Sequence, residues 1–170
     1  MIQFLPNESV KVKPIYLKRD LMIELNKNLI LLYTGLTHSA SSILKEQSTN
    51  IISDKQKVDA MLQMTDLVYD ARRALERENL DDFGHILHTN WMLKRGLASK
   101  ITNPFIDECY ETALKNGALG GKLLGAGNGG FLLFYCPYEK QTQLKESLKL
   151  IELPFNFEEE GTKIIYYNRG

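Results

Sequence analysis

Apolar and polar residues alternate weakly over residues 1–16, where IQFL and VKVKPIY flank PNES with the turn formers Pro6, Asn7 and Ser9. A period of two on both sides of a turn predicts a hairpin. Within LMIELNKNLILLYTG the pattern changes to a short helix and then a strand over 29–33, stopped at Gly35. Residues 37–47 read as a helix with a Thr or Ser cap. The longest helical pattern covers 54–78. There Val58, Met61, Leu62, Thr65, Val68, Arg72 and Leu75 fall three or four apart, which predicts that this face turns inward. ENLDD breaks it, and a second helix is expected over 81–99 with Phe83, Ile86, Leu87, Leu93 and Leu97 inward. Asn103 and Pro104 form a helix start, N-cap followed by proline at the first helical position. Ile106, Cys109, Tyr110 and Ala113 give that helix an apolar stripe, and Gly117 supplies a left-handed end. A glycine-rich segment follows, then the solid apolar strand FLLFYC and a helix over 137–148. PFNFE and TKIIYY read as two closing strands around the turn EEEG. Strands near both ends with helices clustered between them make the class α+β.

A chain of 170 residues suggests one domain, or one and a part. Its hydrophobic fraction of 44% and charged fraction of 25% are those of an ordinary soluble globular protein. The formal net charge of zero gives no electrostatic reason to expect nucleic acid or an anionic membrane as partner. No apolar run approaches the roughly 20 residues that span a bilayer. MIQFLPNESVKVKP lacks the basic and apolar regions of a signal peptide. Cys109 and Cys136 form no CxxC pair and read as free thiols of a reducing cytoplasm.

The candidate chemistry sits in GGKLLGAGNGGFLLFYCP, residues 120–137. GAGNGG satisfies G-x-G-x-x-G, but a dinucleotide fingerprint runs from strand through glycines into a helix, whose N-terminus holds the pyrophosphate. Here the glycines run into Phe131–Tyr135, which is strand-like, so that reading fails. Walker A fails as well, because Leu123 follows Lys122 where Ser or Thr is required. What remains is a glycine turn between two extended segments. Such a turn can offer several backbone N–H groups to one anion, or can serve only as a tight connection between core strands. The residues by themselves leave both open.

The stretch GALGGKLLGAGNGGFLLFYCP resembles the third signature of the GHMP family of small-molecule kinases, approximately G-a-K-l-x-G-A-G-x-G-G. NLILLYTGLTHSAS, FGHILHTNWMLKRGLASKITNPFIDECYETALKNGALGGK and PFNFEEEGTKIIY are also similar, chiefly to the sugar-phosphate branch. The resemblance covers nearly the whole chain but only the second half of such an enzyme. It implies a ferredoxin-like carboxyl-terminal domain with added helices over residues 36–170, preceded over 1–35 by a hairpin and strand remnant of an amino-terminal domain. It implies transfer of the γ-phosphoryl of ATP, with Mg²⁺, to the anomeric hydroxyl of a heptose 7-phosphate or similar sugar. Lys122, Gly125, Ala126, Gly127, Asn128, Gly129 and Gly130 would form the loop beside the phosphates.

Two departures follow. The family's ATP loop, P-x-x-x-G-L-[GS]-S-S, is absent. TGLTHSASS is superficially like it but lacks the proline and reads as helix capping, with a substrate-side contact from His38 or Ser39 as the functional use. Asn128 stands where the family has glycine, and Asn tolerates left-handed backbone best after glycine. The implied partners are therefore ATP, a sugar phosphate and an amino-terminal kinase half, with this chain inactive alone and carrying no catalytic residue itself. A non-catalytic binding or interaction module derived from the same fold is the alternative. On the helix before Asn103, Lys94 and Arg95 are candidates to neutralise a sugar phosphate, or simply a solvated face. His85 and His88 lie three apart on that helix without a third ligand, so no metal is expected. The acidic run at 158–160 reads as a solvated turn, and the long apolar helix faces as core first and a homodimer or domain interface second.

Overall fold

A computed structural model describes residues 1–37, 40–158 and 161–167. The chain opens with the expected hairpin, β1 (Ile2–Phe4) antiparallel to β2 (Val10–Val12). Its turn is held by Asn7, whose side-chain oxygen accepts from the Ser9 amide at 3.2 Å and hydroxyl at 2.6 Å. Helix α1 (Arg19–Asn28) leads directly into β3 (Leu29–Tyr33). Four helices follow: α2 (Ala40–Ser53), α3 (Lys55–Glu76), α4 (Leu80–Arg95) and α5 (Pro104–Lys115). Strands β4 (Gly120–Leu123) and β5 (Phe131–Tyr135) flank the glycine segment. A short 3-10 turn, helix α6 (Gln141–Leu148) and β6 (Ile151–Glu152) complete the described elements.

The main sheet has the order β4-β5-β3-β6 and all its pairings are antiparallel. Its strands, counted along the chain, stand in the order 2-3-1-4, with helices inserted after the first and the third. That is the split βαβ pattern of ferredoxin-like folds, and α2 to α5 include the added helices. The core lies between sheet and helices and is built on Ile30, Leu32, Trp91, Tyr110, Leu132 and Phe134, all essentially inaccessible. No described helix is long and apolar enough to cross a membrane.

Several sequence expectations need correction. Strand β3 is no peripheral remnant: it is hydrogen-bonded on both edges, to β5 and to β6. The division expected at residue 35 therefore cuts through one packed sheet. Helix α2 is described over Ala40–Ser53; His38 and Ser39, inside the span expected for it, lie outside the described residues. Helix α3 buries the expected face only in part: Met61 packs on the main core and Leu75 on a smaller cluster, while Val58, Leu62 and Val68 are exposed. Ala60, Met64 and Ala74, which lie outside the expected face, also turn inward, smaller or flexible side chains that suit packing against a neighbouring helix. PFNFE and TKIIYY form no strands among the described residues. Pro154, two residues past β6, has no N–H to continue the ladder. Glu159 and Glu160 lie outside the described residues.

Candidate functional site

The glycine loop, residues 124–130, is a tight connection between β4 and β5, as the run of extended segments implied. Its ends are stitched into the fold. The Leu124 amide donates to the Phe131 carbonyl at 2.8 Å, and the Gly130 amide to the Leu36 carbonyl at 2.8 Å. Thr34, buried just after β3, donates to the Gly130 carbonyl twice, from its amide at 2.9 Å and its hydroxyl at 2.8 Å. The segment TGL thus lies against the loop. His38 and Ser39, the substrate-side candidates further along it, fall outside the described residues.

The middle of the loop is held from α5 and the turn before it. Asn128 adopts φ of 61°, the left-handed conformation expected of it, and its amide donates to the Ile101 carbonyl at 2.8 Å. Its side-chain oxygen accepts from Asn103 Nδ2 at 2.8 Å. Asn103 has a second task that its sequence position did reveal: its side chain caps α5, accepting from the Ile106 amide at 3.0 Å. The cap and the loop are therefore one unit. Gly127 has no substitute, since its φ is 132° and a Cβ there would sit 2.7 Å from both Cα and O of Ile101.

On the other flank stands α4, pressed onto β4 through two glycines. A Cβ on Gly120 would overlap the Gly84 carbonyl oxygen and lie 2.7 Å from the His88 nitrogen. Nothing in the spacing of apolar residues announced this contact; only a helical glycine matched to a strand glycine hints at it. Beneath it, the buried Tyr110 hydroxyl donates to the Gly121 carbonyl at 3.2 Å. With that proton committed, His88 Nδ1 is the donor to Tyr110 at 3.0 Å. Burial first, and the neighbouring His85 second, hold the His88 pKa down. His88 is thus a structural hydrogen-bonding group.

This packing carries Lys94, in the last turn of α4, to the loop, where its Nζ donates to the Gly125 carbonyl at 2.7 Å. Burial, and then the charge of Lys122, push the Lys94 pKa down to about 8. Burial also depresses that of Lys122, which projects from β4. Arg95, by contrast, is engaged elsewhere, in an ion pair with Asp107 at 3.1 Å. The structure thus brings Lys94 to the loop, with Lys122 on β4 near enough for Lys94 to feel its charge, while Arg95 is tied to the side of α5. Among the described residues, the amides of Gly125, Ala126, Gly127 and Gly129 donate to no protein acceptor. Free amides in a glycine turn beside the Lys94 ammonium are suited to anionic oxygens.

A stability consequence follows from Lys94. In the window from about 8 to 10.5 the unfolded lysine holds a proton that the folded one has released, so this group makes stability rise with pH. Tyr135, Cys136 and Tyr110, whose pKa values burial raises, act in the opposite direction. Comparison with Lys94→Met isolates the effect. The variant should gain relative to the unsubstituted chain at pH 7 and lose that advantage by pH 10.5, read as urea midpoints. A difference independent of pH would contradict it.

Comparisons with known proteins agree with this architecture. Residues 71–150 match the family model described as GHMP kinases C terminal. The chain is 28% identical over 165 residues to D-glycero-alpha-D-manno-heptose 7-phosphate kinase of Campylobacter jejuni, covering 95% of this chain and 48% of that protein. Its fold superposes on L. major mevalonate kinase in complex with R-mevalonate with a TM-score of 0.72 at 22% identity, over 85% of this chain and 42% of that one. For a D-glycero-D-manno-heptose 1-phosphate kinase from Bacteriodes thetaiotaomicron the TM-score is 0.61 at 22% identity, over 92% and 41%. The chain therefore spans somewhat under half the length of each of these three proteins. Signature, family model and strand order converge on one likeness: residues 71–150 match the C-terminal domain of the GHMP kinases, and the fold around them superposes on solved structures of that architecture.

Proposed function

We propose that the chain serves as the carboxyl-terminal half of an ATP-dependent sugar-phosphate kinase, with the glycine loop beside the phosphates and a heptose 7-phosphate as acceptor. The observation that carries this reading is the set of amides at Gly125, Ala126, Gly127 and Gly129 with no acceptor among the described residues, beside the Lys94 ammonium. Phosphoryl transfer needs positioning and charge neutralisation above all. In the reaction the anomeric oxygen forms a bond to the γ-phosphorus, the bond to the ADP oxygen breaks, and the hydroxyl proton leaves to a base. The loop and Lys94 would hold phosphate oxygens; the base and the main ATP loop would come from an amino-terminal half. Among the described residues no three His, Cys, Asp or Glu side chains gather to hold a metal, so Mg²⁺ would arrive with the phosphates.

Exposed apolar surface supports a partner half. Ile2, Phe4, Val10 and Val12 of the hairpin are 51–78% exposed, and an isolated two-stranded ribbon is marginal by itself. Calorimetric titration with ATP–Mg²⁺ and with a heptose 7-phosphate, alone and then with a separately made amino-terminal half, tests the reading. Turnover is expected only in the mixture. Tight binding to the chain alone, with no turnover in the mixture, would favour the non-catalytic binding module, which Asn128 at a glycine position also suits.

A further inference from the structure

We propose that the cleft bounded by the hairpin, α3, α4 and β4 is a binding site for a small amphipathic carboxylate, its apolar body against the two helices and its charge on Lys122. The inference is independent of the reading of the glycine loop, no residue of which lines the cleft.

The cleft holds about 280 Å³. Small-molecule sites run from about 300 to 1,000 Å³, so this one suits a short chain or a single ring and is too small for a nucleotide. Most of its wall is aliphatic: Ile2 comes from β1, Ala71 and Leu75 from α3, and Ile86 from α4. Such a wall accepts any compact apolar body, and the polar groups set into it decide which one. They are Arg72, Asn90 and Lys122, and no Asp or Glu lines the cleft. Arg72 is already compensated, since its Nε donates to Glu76 at 2.6 Å. Met1 lines the cleft too, with its amino group donating to the Lys13 carbonyl at 2.6 Å. Lys122 differs from both. It is half-buried, and among the described residues its ammonium has neither a carboxylate nor a carbonyl to bond. The Asn90 side chain likewise makes no hydrogen bond among them. A partly dehydrated ammonium without a counter-ion is unfavourable, and an anion in the cleft relieves it. Burial already holds the Lys122 pKa down, as that cost requires. One uncompensated side-chain cation calls for one negative charge. A carboxylate supplies it, with one oxygen for Lys122 and one for the Asn90 amide, and charge-assisted bonds of this kind are the strong ones. The strand is also fixed beside α4, because Gly120, two residues before Lys122, packs so closely on the Gly84 carbonyl that no Cβ fits between them.

Octanoate, hexanoate and octanol are the probes, titrated calorimetrically at neutral pH into the 170-residue chain. Octanoate should bind. Octanol should bind about tenfold or more weakly for want of the charge, and hexanoate about tenfold more weakly for want of two methylenes. Lys122→Met should bring octanoate down to the affinity of octanol without lowering the thermal midpoint. Ala71→Phe, which fills the cleft from α3, should abolish binding of all three. Lys11→Met, on the hairpin but outside the cleft, should bind octanoate as the unsubstituted chain does. Absence of octanoate binding, equal binding of octanoate and octanol, or octanoate binding unchanged by Lys122→Met overturns the proposal. Expulsion of octanoate by a separately made amino-terminal half would assign the cleft to the interface between halves and overturn it as well, while leaving the proposed kinase role in place.

Discussion

Gly120→Ala is expected to destabilise the protein severely, by about 3 kcal/mol or more, because the added methyl has nowhere to go. It meets the Gly84 carbonyl oxygen, the His88 nitrogen at 2.7 Å and the His88 Cβ at 2.9 Å. The first two are helix backbone and cannot swing aside. Relief requires α4 to lift off β4, which would also draw Lys94 away from the loop. The contrast is Gly125→Ala. A Cβ there meets nothing within 4 Å, so only the cost of φ at 78° remains, about 1–2 kcal/mol. Urea denaturation of both variants decides the matter. Equal losses would mean that helix and sheet separate more easily than the packing implies.

The second large effect is expected at Trp91. It is completely buried in the main core, with its ring 5.9 Å from that of Tyr110. Trp91→Ala should cost about 3–5 kcal/mol, a large share of the 5–15 kcal/mol that stabilises a typical domain. Yet its Nε1 is buried with no hydrogen-bond partner among the described residues. An orphaned donor costs about 1–3 kcal/mol, so Trp91→Phe removes a penalty while opening a smaller cavity. Its loss should be well under half that of the alanine variant. Trp91 is the chain's single tryptophan, so the midpoints must be followed by circular dichroism. Similar losses in both variants would show that the indole nitrogen is satisfied in solution.

Local chemistry was legible in the sequence, and orientation was not. Asn103, Pro104 and Gly117 mark the ends of α5 because capping and left-handed termination depend only on neighbouring backbone. The glycine turn and its flanking strands could be read for the same reason. The inward face of α3 misled because apolar residues lie around much of its circumference. Met61 and Leu62 are adjacent in sequence, yet only Met61 packs on the core. The choice between such faces is made by how closely α4 approaches, which favours Ala60 and Ala74 over bulkier neighbours. TKIIYY has strand composition, but a strand exists only where another offers a free edge in register. At the site, the lysines stood among the candidates, while the contact that delivers Lys94 depends on Gly84 and Gly120, distant in sequence and silent in any periodic pattern.

The position of β3 sets the order of events during synthesis. Its partner Leu133 lies about a hundred residues beyond Leu31, so at typical elongation rates β3 waits about 5–20 s for β5 to be made. Until then the helices can form from local contacts, but LILLY remains an apolar strand with both edges open, a template for wrong pairing. Closing so long a loop before any sheet contact rewards it makes this the slow step of folding. The glycine loop, which depends on Thr34 and Leu36 for its clamp, takes shape only when that step is complete.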